Sequence, residues 1–135
     1  MADDKLKYLE FVQSAISRMA SNSFLIKGWS VALGTAVLGF SVKESNWALA
    51  LVAAAPAAAY WMLDAYYLGL ERLFRHLWGA AIADAEAKFN MDPGQLGLKD
   101  WFKAAWSPAI WFVHLPVIVT SLFTARMLFL LHTTK

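Results

Sequence analysis

An all-α integral membrane fold with three spanning helices is what this sequence predicts, and three observations carry the prediction. Of 135 residues, 59% are hydrophobic and only 16% are charged, a balance unlike that of soluble domains. Three apolar runs are each long enough, or nearly so, to cross ~30 Å of hydrocarbon as a helix, which takes roughly 17–25 residues. Basic residues fall unevenly between the segments those runs separate.

The first 22 residues are amphipathic. Over residues 4–22, Leu9, Val12, Ile16 and Met19 recur at steps of three and four, while Glu10, Gln13, Ser17 and Arg18 fill the other faces. Such a helix can lie on the membrane, pack on another helix or assemble with copies of itself; packing is the simplest of these. Ser21, Asn22 and Ser23 predict a bend before the first span. The acidic start and the late onset of apolar sequence lack the pattern of a secretory signal.

Residues 24–42 form the first expected span. Lys27 is its one interruption, and its stem is long enough to snorkel back to the headgroups. Residues 47–63 form the second, rich in alanine, bracketed by Trp47 and Trp61 and bent near Pro56. The short link between them demands a tight antiparallel hairpin with Lys43, Glu44 and Asn46 at its tip. Small residues at four-residue spacing (Gly28, Ala32, Ala36; Ala50, Ala54, Ala58) suggest the faces on which these helices meet.

Helical pattern continues over residues 64–89, with Leu70, Phe74, Leu77, Trp78, Ala81 and Ile82 on an apolar side. Residues 90–100 then turn the chain, through Asn90, Asp92, Pro93 and Gly94, and Asp100 is placed to cap the helix that re-enters the membrane. Residues 104–125 form the third span, with Pro108, His114 and Pro116 inside it and no charge.

Nine lysines and arginines lie before the first span, at its start (the snorkelling Lys27) or between the second and third, against three in the opposite segments. The amino terminus and middle segment are therefore expected on the cytoplasmic side of an inner membrane, and the carboxyl terminus on the periplasmic or extracellular side.

Within the helix after the second span, Asp64, Glu71 and Arg75 follow steps of seven and four along one face, with Glu71 placed to pair with Arg75. Such a ladder is ordinary near headgroups, yet repeated around an oligomer it would select or gate ions. His114, expected near the middle of the third span, is the other candidate, because ionisable groups inside a membrane mark proton paths, pH sensors or partner contacts. His76 and His132 are remote from it in sequence, so no metal site or cofactor is indicated. The chain has no cysteine, HExxH, glycine-rich phosphate loop or serine-nucleophile motif, which argues against an enzyme. Its scattered basic residues do not form a nucleic-acid surface.

The segments Ser21-Asn22-Ser23-Phe24, Lys27-Gly28-Trp29, Trp61-Met62-Leu63-Asp64-Ala65-Tyr66-Tyr67-Leu68, Glu71-Arg72 and Phe74-Arg75 resemble a group of small, uncharacterised bacterial membrane proteins over most of residues 5–80. The layout is also similar to the small transmembrane effectors of bacterial antiphage systems, such as the SLATT class. That resemblance implies a bacterial protein that breaches the membrane. Three helices cannot enclose a hydrated path alone, so such a protein would be a homo-oligomeric channel or pore, and the residues read above as its candidate pore or coupling groups are Asp64, Glu71, Arg75 and His114. The residues themselves equally allow a non-catalytic anchor or scaffold, whose cytoplasmic helices hold a protein partner at the lipid bilayer.

Overall fold

The computed structural model describes residues 2–83 and 90–134, and those residues are helical apart from the connections. In chain order the elements are α1 (Ala2–Lys43), α2 (Trp47–Val52), α3 (Ala54–Ala83), α4 (Leu98–Ala105) and α5 (Pro108–Thr133). Three helical stretches, Asp3–Lys43, Trp47–Ala83 and Pro108–Thr133, are long and apolar enough to cross a membrane. The expected helical residues 84–89 lie outside the described residues.

The amphipathic segment and the first span are one uninterrupted helix, without the bend expected at residues 21–23. Serines bend helices only when their hydroxyls disturb the backbone ladder, and Ser23 instead turns its hydroxyl inward to Asp64. The hairpin forms as expected. Ser45 takes a left-handed φ of 50°, and the Asn46 side chain then caps α2 by accepting from the amides of Ala48 (3.0 Å) and Leu49 (3.3 Å).

The second span breaks at Ala53, where α2 passes into α3. Pro56 has no N–H to offer the carbonyl four residues back, at Val52, which ends α2 there. Beyond the spans, the charged half of α1 packs on the far end of α3 through Tyr8, Val12, Ile16 and Ala81, with Leu9, Phe74 and Leu77 around them. These two segments make a paired helical arm. The Tyr8 hydroxyl donates to the carbonyl of Asn90 at 2.7 Å and ties the following turn to it. In that turn Asp92 N–H donates to Asn90 Oδ1 and Gly94 N–H to Asp92 Oδ1, with Gly94 at φ 84°.

The third span starts later than expected, at Pro108 rather than residue 104, and runs to Thr133. A residue before proline is driven to extended backbone, so Ser107 (φ −66°, ψ 136°) separates α4 from α5, and Pro108 begins the new helix where its missing N–H costs nothing. Asp100 lies in the first turn of α4, whose N-cap is Gly97, so it is not the cap.

The bundle interior is small and polar. Its buried positions include Ser23, Ser30, Gly34 and Ser41 on α1, Ala50, Ala53, Ala57 and Ala65 along the second span, and Ile110, His114, Val117, Ser121 and Ala125 on α5, the last set at steps of four, three, four and four. Large side chains point outward instead, Phe24 at 75% exposure and Phe112 at 65% among them. This distribution suits lipid, where apolar surface gains nothing from hiding and close backbone approach supplies the contact.

The stripe expected on α1 does not lie on its packing face. Gly28, Ala32 and Ala36 are on the outer side, and a methyl built on Gly28 would touch nothing within 4 Å. The packing face runs through Ser30 and Gly34. On the second span Ala50 is buried as expected, Ala54 is half-buried and Ala58 is exposed.

A buried Lys–Asp–His cluster as the candidate functional site

Asp64 sits on α3 opposite the level at which α1 carries Ser23 and Lys27, and it is fully buried. Its Oδ1 accepts from the Ser23 hydroxyl and from Lys27 Nζ at 2.9 Å. Its Oδ2 takes Lys27 Nζ at 2.7 Å and His114 Nε2 at 3.1 Å. Lys27 also donates to Ser23 Oγ at 2.7 Å, so its ammonium has three partners. The lysine expected to snorkel outward has turned inward, and its side chain is 20% exposed. A buried charged pair is retained when each member has partners, because the apolar surroundings offer no others.

His114 extends the row. A carboxylate only accepts, which places hydrogen on Nε2 and leaves Nδ1 to accept from Ser30 Oγ at 2.8 Å. Thr35, Ser41 and Ser121 donate to carbonyls of their own helices, whereas the hydroxyl of Ser30 is committed to the imidazole. The Trp61 ring lies nearly parallel to that of His114 with centroids 6.5 Å apart, and its N–H donates to the carbonyl of Ala105 at 2.8 Å. Among the described residues no buried side-chain nitrogen or oxygen lacks a partner. The cluster is closed on itself and joins all three spans.

Of the four residues singled out in the sequence, the fold unites two. Asp64 and His114 meet although 50 residues apart, but Glu71 and Arg75 pair with each other further along α3, at 2.7 Å, with Arg75 largely exposed. With α5 beginning at Pro108, His114 lies about two turns inside the helix rather than at its middle. Ser23, Lys27, Ser30 and Trp61 complete the site, and of these only Lys27 carried a signal, as the sole charge in its span. Comparison with protein-family models, curated proteins and solved structures returned no match.

Ser30, His114 and Asp64 follow the hydroxyl–imidazole–carboxylate order of a hydrolytic triad. Nucleophilic attack also needs room for a substrate and donors for an oxyanion. Ser30 is completely buried, and it stands mid-helix in α1, where backbone amides are already engaged. The arrangement suits holding helices in register better than acyl transfer. Ser30→Ala is expected to cost about 1 kcal/mol by leaving Nδ1 of His114 unpaired. Unfolding midpoints in mixed micelles check this, and an unchanged midpoint would remove Ser30 from the cluster.

Proposed function

We propose that this chain is a non-catalytic anchor of a bacterial inner membrane, a locked three-helix unit whose cytoplasmic arm holds a protein partner at the bilayer. One observation carries the reading: Asp64 and His114, the ionisable groups that would serve a conducting path, are each 0% exposed and satisfied within a single chain. A ring of copies would present to its axis the outer faces of the spans, where Phe24, Trp29, Phe40 and Phe123 stand. The polar groups on those faces are few, Thr120 and Thr35 among them, and Thr35 turns its hydroxyl to the carbonyls of Val31 and Ala32, which leaves little to replace an ion's water. The arm, by contrast, carries Leu6 and Phe11 at 58% and 66% exposure among charged neighbours, the composition of a helix face awaiting a protein.

The test pairs two measurements on the full chain. Reconstituted into liposomes, it should pass no more potassium or protons than empty vesicles; flux that Asp64→Asn abolishes would reinstate the homo-oligomeric channel. In cells, a photoreactive amino acid at Phe11 should give a discrete protein adduct, whereas one at Phe24 should label lipid. Lipid labelling at both positions would remove the arm from partner binding.

A further inference from the structure

Between α3 and α4 lies a cleft of about 240 Å³ lined by Gly69, Arg72, Leu73, His76, Asp100 and Lys103. Arg72 is half-buried there, and among the described residues its one hydrogen bond is to Ser107 Oγ at 3.2 Å. Among the described residues no carboxylate pairs with it. A guanidinium has five donors in a fixed fork shaped for carboxylate or phosphate oxygens, so most of its capacity is unused. Lys103 reaches Asp100 only loosely, at 3.7 Å, with both side chains more than half exposed. The cleft therefore holds a net positive charge and a mostly free arginine fork.

Its depth relative to the bilayer follows from α4. Leu98, Phe102 and Trp106 project from that helix and its C-cap at 77%, 54% and 67% exposure, while Lys99 and Lys103 stand on its other faces. A short helix of this kind rests at the boundary of headgroups and acyl chains, apolar side down. On its apolar side a second groove, of about 350 Å³, is lined almost wholly by carbon, with Trp61, Trp101, Phe102, Trp106 and Ile118 in its walls. One face of α4 thus meets a cationic cleft, and the other an apolar groove.

We propose that the α3–α4 cleft binds the phosphate headgroup of an anionic phospholipid, with an acyl chain passing α4 to lie in the aromatic groove on its other face. Arg72 supplies the bidentate contact and Lys103 a second cation, as basic pockets beside spanning helices do for acidic headgroups. The site is separate from the Asp64 cluster and is independent of what the arm holds.

Three of the seven tryptophans, Trp61, Trp101 and Trp106, line the groove, so occupancy is read as the difference in quenching between two lipids that the outer tryptophans meet alike. The full chain is placed in vesicles of phosphatidylcholine containing a minor fraction of either phosphatidylglycerol or phosphatidylcholine with brominated chains, and tryptophan quenching is compared. Brominated phosphatidylglycerol is expected to be preferred about tenfold, and Arg72→Gln with Lys103→Gln should bring the preference close to one. Lys103→Gln alone, at an exposed position that leaves folding intact, should lower it partway. Arg18→Gln, a cation outside the cleft, should leave it unchanged. Equal quenching by the two lipids in the unmodified protein overturns the proposal, as does a preference that survives both substitutions. Loss of the preference in millimolar inorganic phosphate would instead assign the cleft to a soluble phosphate and overturn the lipid.

Discussion

Replacing Asp64 with alanine is expected to destabilise the folded bundle by about 3 kcal/mol or more, toward the range measured for breaking a buried ion pair. The carboxylate takes hydrogen bonds from Ser23, Lys27 and His114, so its removal leaves an ammonium, an imidazole N–H and a hydroxyl without their acceptor. Lys27 is partly exposed and can swing toward the headgroups, which moderates the loss. His114 has no such escape, being fully enclosed. The check is unfolding by sodium dodecyl sulfate followed by far-ultraviolet circular dichroism. A midpoint equal to that of the unmodified chain would mean that the cluster contributes nothing to holding the helices. The double variant Lys27→Met with Asp64→Asn separates charge from hydrogen bonding, because it removes both charges while keeping an acceptor for His114. It should recover at least half of the loss; no recovery would place the effect on the charge pair itself and not on the hydrogen bond that asparagine keeps for His114.

The second large effect is steric. A methyl built on Gly34 would lie 2.5 Å from Cγ1 of Val117 and 4.0 Å from the carbonyl oxygen of Ala53, so α1 meets both α5 and the α2–α3 junction at this point. Valine in a helix is held to one rotamer and cannot swing aside. Gly34→Leu is expected to cost about 1–3 kcal/mol as overpacking. Gly34→Ala should also destabilise, although alanine is the better helix former by about 1 kcal/mol, and adding Val117→Ala should reverse the sign. Gly28→Ala is the matching control, since nothing stands near that position, and it should be neutral or mildly stabilising. Equal outcomes at the two glycines would show that α1 is rotated from the face described.

That pair of glycines also marks where sequence stops being informative. Hydropathy places three spans and an amphipathic start, because each depends on composition along one helix, and the Asn46 cap and the Asn90–Gly94 turn are local chemistry. Which face of α1 meets α5 is set by rotation about the axis, and both Gly28 and Gly34 satisfy a small-residue pattern. The Lys27–Asp64–His114 contact joins residues 37 and 50 positions apart and lies in no motif. One physical constraint did point to it: a lysine, an aspartate and a histidine in otherwise apolar helices have few partners but each other. The later start of the third span was legible too, in Ser107-Pro108, which extends the backbone and opens a helix in one step.

The unbroken length of α1 has a mechanical consequence. Forty-two residues of α-helix measure about 63 Å, roughly twice the hydrocarbon thickness, and neither proline nor a pair of glycines interrupts them. The cluster that grips Ser23, Lys27 and Ser30 lies near the midpoint and acts as a fulcrum. A tilt of about 10° in the apolar half, as a change in bilayer thickness would produce, would sweep the end of the paired arm through about 5 Å. In a membrane of changing thickness such a rod would turn thickness into displacement at the arm's end, and whatever that end touches would move with it.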